Sequence, residues 1–185
     1  VISDDFKNKC VAPVAKHEAG HWLAAYLFGW EPKGIAIKVP EEEDKHHSYA
    51  MTSHRVKIGS LDEVRDYARK RVIILYSGMY ASSFNGRTFD MNKIQLEIEP
   101  SGASYSDFWK AEEIYFFYYN TLSSPKSWND EFLPIIRKTE KIIVDNNKFL
   151  NAVSSIICTM ANDVGQTIEL SYADLEAIYK EAMSA

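Results

Sequence analysis

Two histidines, His17 and His21, stand four residues apart, with Glu18 beside the first, in the run Lys16-His17-Glu18-Ala19-Gly20-His21. Four residues make about one helical turn, so on a helix both imidazoles project from the same face. So placed, they supply two of the three protein ligands of a catalytic zinc, which keeps its fourth corner for water. Glu18 lies one step round from His17, within reach of that water, and fits the part of general base. This is the H-E-x-x-H pattern of metal-assisted hydrolysis, and zinc is the expected cofactor. The alternative is that the two histidines merely pack or face solvent.

The pair leaves the metal one protein ligand short. Asp107, Glu112 and Glu113 are the carboxylate candidates, with His46, His47 and His54 behind them. A solvated loop and a strand end are the alternative homes of those three histidines. A Glu on a downstream helix is a common solution at such sites. Asp107 has a different merit, because it lies near a predicted helix start, where capping holds a carboxylate in place. Spacing alone does not choose among them.

The elements that must carry these residues can be read from periodicity. Residues 1–10 are polar and are expected to form a short lead-in. Residues 11–28 contain nothing to stop one long helix: Pro13 suits its first turn, Gly29 reads as its stop, and Pro32 follows. Val14, His17, Glu18, His21, Ala25 and Phe28 keep a three-and-four rhythm, so the histidine face is expected to be buried or half-buried. Gly20 weakens a helix interior, which implies a packing reason for it. Residues 33–39 alternate and are rich in Ile and Val, as a strand requires, and residues 48–57 are its expected hairpin partner across a polar loop at 41–47.

Residues 60–84 open with the capping box Ser60-Leu61-Asp62-Glu63 and become apolar all round, which predicts a helix buried in mid-domain. Residues 88–99 are weakly patterned and 100–102 form a turn. Ser104 or Ser106 is the expected N-cap of an unusually aromatic helix over 108–119, whose rings read as core filler. Residues 130–145 and 148–164 are two amphipathic segments or one bent helix; Gly165 stops the second, and a short helix starting at 171–174 carries the chain to its end. The fold class predicted is mainly α, five or six helices with a small β-hairpin or edge sheet, in one domain over residues 1–185.

Composition bounds the function. The chain has 185 residues, 46% hydrophobic and 25% charged, as expected of a soluble globular protein. A net charge of -5 gives no reason to expect nucleic acid or an anionic membrane as partner. No apolar run approaches the roughly 20 residues that span a bilayer, and the opening residues lack a signal-peptide pattern. Cys10 and Cys158 make neither a disulfide framework nor a thiolate zinc site, so a reducing, cytoplasmic setting is expected. The chain starts at Val1 rather than Met, as a trimmed fragment would.

His17-Glu18-Ala19-Gly20-His21, followed by an apolar helix, a Gly and a short β-segment, resembles the peptidase domain of the FtsH family of AAA proteases. The segment Tyr-Ser-Gly-Met-Tyr-Ala-Ser-Ser-Phe-Asn-Gly, ending at Gly86, resembles that family's LGGRxAEExxFG segment in degenerate form, with Gly78 and Gly86 as the clearest matches. Ser101-Gly102-Ala103-Ser104-Tyr105-Ser106-Asp107 and the residues to Ala111 resemble its TGASNDLERAT segment. The resemblance implies Asp107 as third zinc ligand, with Ala111 four residues on as in the family. Residues 146–150 and 167–175 resemble the family's closing NRxxLxxLAxxLLExETLxxxEI. Two departures stand out: one extra residue before Asp107, and no phosphate-cradling G-x-x-x-x-G-K-[ST] loop or membrane span within these residues.

The expectation is therefore a zinc metalloendopeptidase working without its own ATPase, on peptides or unfolded protein. His17, His21 and Asp107 hold the metal, Glu18 is the base, and a strand at 33–39 or 48–53 pairs with extended substrate, as the resemblance implies. A homo-oligomer or a separate ATPase partner is open. The rival is a catalytically inactive peptidase-like binding or scaffold protein; a hydrolase acting on something other than peptides is a third option that nothing in the sequence favours.

Overall fold

The structure, a computed structural model, describes residues 2–41, 48–52 and 56–184. It is mainly helical, with six long helices, two short ones and a small antiparallel sheet among the described residues. The chain opens with α1 (Asp4–Phe6), where the Ser3 hydroxyl accepts the Phe6 N–H. A π-helical stretch, Lys7–Val11, joins it to α2 (Ala12–Leu27). The expected polar lead-in is thus helical, and Pro13 explains its form. In an unbroken α-helix the proline ring would press on the carbonyl four residues back; a wider turn, closed by the Ala12 N–H on the Lys7 carbonyl, relieves that clash.

From Val14 to Ala25 every residue of α2 except Lys16 is buried, so this helix is the centre of the molecule. It ends in a Schellman motif: Gly29 takes φ 68°, its N–H bonds the Tyr26 carbonyl, and the Trp30 N–H bonds the Ala25 carbonyl. Sheet and further helices then wrap α2. β1 (Pro32–Lys38) pairs antiparallel with β2 (Ser48–Thr52) on one side and with β3 (Thr167–Leu170) on the other, giving the order β2-β1-β3. The expected hairpin partner is present; β2 is described as far as Thr52, and residues 53–55 lie outside the described part. Among the described residues β1 is paired on both sides and the edge strands are β2 and β3, so of the two strands expected to take substrate only β2 lies at an edge, which corrects the alternative at 33–39. β3 was not expected, since four residues give too little alternation to read; Gly34 admits it, because a Cβ there would lie 2.5 Å from the Leu170 carbonyl.

α3 (Leu61–Ser83) starts at Ser60, whose hydroxyl accepts the Glu63 N–H, while the Glu63 carboxylate takes the Gly59 N–H. The box is therefore shifted by one residue on its return arm. α3 crosses α2 at a glycine: a Cβ on Gly20 would come within 2.4 Å of the Ser77 carbonyl and 2.8 Å of the Ala81 Cβ. That is the packing reason its helix-weakening presence called for. α4 (Met91–Glu97) falls in the weakly patterned stretch and is capped by Asp90, whose side chain accepts the Lys93 N–H.

α5 (Tyr105–Asn120) runs back along α3, with the Arg65 guanidinium on the Thr121 carbonyl near its far end. Its aromatics are filler on one face only. Tyr115 and Tyr118 are buried, whereas Trp109, Phe116 and Phe117 are each more than half exposed. α6 (Trp128–Asp145) and α7 (Asn147–Met160) are two helices, broken at Asn146, whose amide donates to the Ile142 carbonyl and accepts from the Tyr179 hydroxyl. α8 (Tyr172–Ser184) closes the chain. The main hydrophobic core runs from Val11 to Leu175, with Trp22 of α2 against Phe149 of α7, and a smaller cluster joins Ala24, Ala25, Trp30 and Ile74. No helix among the described residues is long and apolar enough to cross a membrane.

Candidate metal centre

The spacing in α2 does what it should. His17 and His21 lie one turn apart, their rings edge to face with centroids 4.6 Å apart, and both are buried. Asp107 reaches them from the first turn of α5. His21 Nε2 is 3.0 Å from His17 Nε2 and 3.0 Å from Asp107 Oδ2, and His17 Nε2 is 3.4 Å from the same oxygen. Ligand atoms at the corners of a zinc tetrahedron, with bonds of about 2.0–2.1 Å, stand about 3.3 Å from one another. The three donors therefore already sit at the edges such an ion requires. Among the described residues they are the one cluster of metal-ligating type.

The surrounding backbone fixes the donors. His21 Nδ1 donates to the Ile74 carbonyl of α3 at 2.7 Å, because a carbonyl can only accept. That leaves the Nε2 lone pair facing Asp107 and His17, the outer-shell arrangement typical of metal-bound imidazoles. A lone pair aimed at a carboxylate oxygen and a second imidazole needs a cation between them, a proton or a metal. Gly78 of α3 makes the room: a Cβ there would lie 2.5 Å from His21 Nε2 and 2.7 Å from His17 Nε2.

Asp107 owes its place to the short helix the sequence did not reveal. Glu97, at the end of α4, accepts the Ser104 hydroxyl at 2.7 Å, and its carbonyl accepts the Ser104 N–H at 2.9 Å. Gly102 turns so tightly over α4 that a Cβ would collide with the Glu97 carbonyl. Of the other candidates, Glu112 accepts the Tyr76 hydroxyl at 3.0 Å and Glu113 faces solvent, so neither joins the cluster. His46, His47 and His54 lie outside the described residues.

Glu18 is buried beside the cluster, with the Ala50 N–H of β2 on its carboxylate. Burial drives its pKa up to about 7; His21 pulls it down, and Asp107 pushes it up. A carboxyl poised near neutrality is suited to accept a proton and return it. For His21, burial acts to lower the pKa, but the Asp107 carboxylate outweighs it and raises it to about 9. Burial would raise Asp107, yet His21 and His17 hold it well below the usual carboxylate range.

These shifts set a pH dependence. The His21 pKa is raised on folding, so its stabilisation of the metal-free protein is complete below pH 6.5 and is lost as pH rises through about 9. Asp107 is depressed, so its share is present above pH 3.8 and is lost as pH falls through its folded value. Metal-free protein is expected to lose melting temperature steadily from pH 6.5 to about 9. A zinc ion bound there would have to displace the His21 proton, so its affinity would rise about tenfold per pH unit below that point, with release of about one proton. Melts of chelated protein and calorimetry in buffers of different ionisation enthalpy check both; a flat melting temperature with no proton release contradicts them.

A cavity of about 720 Å³ opens against His17, between the start of α2 and the α4–α5 turn, with Val14, Pro13 and Leu96 among its apolar lining and Lys93 and Glu97 among its polar lining. No sequence signal marks this cleft, the Ile74 carbonyl or the Ala50 N–H, since they arise from tertiary register. Gly78 alone was visible, as a point of resemblance. No protein-family model matches this chain, and no curated protein matches it either.

Proposed function

We propose that this chain is a zinc metalloendopeptidase of the H-E-x-x-H type, related to the FtsH peptidase domain and acting on peptides or unfolded protein. The observation that carries the reading is the meeting of His17, His21 and Asp107 at 3.0–3.4 Å with a buried Glu18 alongside. A zinc ion held by those three side chains would supply Lewis acidity toward a carbonyl and acidify a water. Glu18 then takes a proton on its carboxylate and passes it to the leaving amine, a role its pKa of about 7 suits. Gly78 keeps the floor of the site clear, the His17 cavity receives substrate side chains, and β2, the free-edged strand nearest Glu18, lines up an extended chain. Cys10 and Cys158 are thiols, in keeping with a reducing, cytoplasmic setting.

The expected result is cleavage of unfolded casein by zinc-loaded protein, stopped by a chelator and restored by zinc. Casein left intact by a protein shown to carry one zinc contradicts it. That outcome is what a second reading predicts, a peptidase-like binding protein, which draws on the exposed Trp109, Phe116 and Phe117 of α5.

A further inference from the structure

Arg71 is the outlier among the cations of α3. Arg65 pairs with Asp62 at 2.9 Å, Arg69 with Asp66 at 3.5 Å and Lys70 with Asp66 at 2.7 Å. Arg71 is partly buried, yet it makes no hydrogen bond or ion pair among the described residues. A shortage of acids is not the reason, since the chain has 26 acidic side chains against 21 basic ones.

Its position is specific. Arg71, Ile74 and Gly78 follow one face of α3 at helical spacing. The Ile74 carbonyl holds His21, and Gly78 lies beneath both imidazoles. Arg71 stands one turn from Ile74 on that face, where burial works against its charge and Tyr67 and the Asp107 carboxylate work in its favour. An arginine cannot shed its proton, so a half-buried guanidinium held by no fixed ion pair, on the helix face that continues to Gly78, suits an incoming anion. A planar fork of five N–H donors matches a carboxylate better than a single oxygen.

We infer that Arg71 anchors a carboxylate of the peptide, its free C-terminus or an acidic side chain near the cleaved bond. The inference rests on the His17–His21–Asp107 centre being a peptide site, and its test reads binding without turnover. Full chain carrying Glu18→Gln, loaded with zinc and immobilised, is offered a random decapeptide pool with a C-terminal carboxylate or a C-terminal amide. Each form is also prepared without Asp and Glu, and retained peptides are read by mass spectrometry.

Carboxylate-bearing peptides are expected to be enriched about tenfold, the worth of one charge-assisted pair. Loss of enrichment in the amide pool assigns the terminus, and loss in the pool lacking Asp and Glu assigns a side chain. Adding Arg71→Gln removes the preference while zinc content stays at the parent level. If that variant does not fold, Arg71→Lys decides: it keeps the charge and lacks the fork, so enrichment must fall by about threefold or more. Equal retention of all pools, or a preference that survives the Arg71 changes, overturns the assignment. Carboxylate preference without casein cleavage removes the peptidase reading alone; casein cleavage without the preference removes this one alone.

Discussion

Glu18→Gln is expected to leave zinc bound and to lower kcat on unfolded casein by about 10²–10⁴-fold, the usual share of a positioned acid–base group. Gln has the size and shape of Glu, and its amide oxygen still accepts the Ala50 N–H. His17, His21 and Asp107 are untouched, so zinc per chain and melting temperature are expected to stay near wild type. What the variant lacks is a group that takes a proton near neutral pH, where the buried Glu18 sits at about 7. Rates of casein cleavage beside zinc content separate the outcomes. Wild-type turnover in the variant ends the mechanism, whereas loss of zinc together with activity shows Glu18 holding the fold rather than moving a proton.

Gly78→Ala is expected to weaken zinc binding by on the order of 100-fold or more, the upper range for changes just outside the ligands. The added methyl would meet His21 Nε2 at 2.5 Å, His21 Cε1 at 2.6 Å and His17 Nε2 at 2.7 Å. Contacts under about 3 Å cannot persist, and the obstacles are the two imidazole rings themselves. The imidazoles must tilt away, and His21 cannot tilt without lengthening its bond to the Ile74 carbonyl. Metal sites tolerate ligand displacements of about 0.2 Å, so the relief itself spoils the donor set. A cost in folding stability of about 1–3 kcal/mol accompanies it, as for other overpacked interiors. Zinc retained during dialysis against graded chelator measures the effect; retention equal to wild type contradicts the placement of Gly78 under the metal.

Legibility in the sequence followed the range of the interactions. His17 and His21 were readable because the turn that joins them is local, and every residue of α2 from Val14 to Ala25 but Lys16 turned out buried, the histidine face included. Gly29 and Gly165 were readable as stops and both take positive φ, where other residues are strained. Asp107 was not separable from Glu112 and Glu113 by spacing; only the resemblance preferred it. Three acids on one helix differ in which neighbour they meet, and the register of α5 on α3 decides that by sending Glu112 to Tyr76 and Glu113 to solvent. α4 and β3 escaped notice because seven and four residues carry too little periodicity. Yet α4, through Glu97 and Ser104, is what delivers Asp107. The aromatic run of α5 was half understood: Tyr115 fills the core, and Phe116 beside it does not.

The most direct measurement is anomalous diffraction at the zinc edge from crystals of the full chain grown with zinc. The expected result is one ion about 2.0–2.2 Å from His17 Nε2, His21 Nε2 and Asp107 Oδ2, with Glu18 close by but outside the ligand set. An ion bound elsewhere, or a chain that takes up none while keeping its fold, contradicts the account.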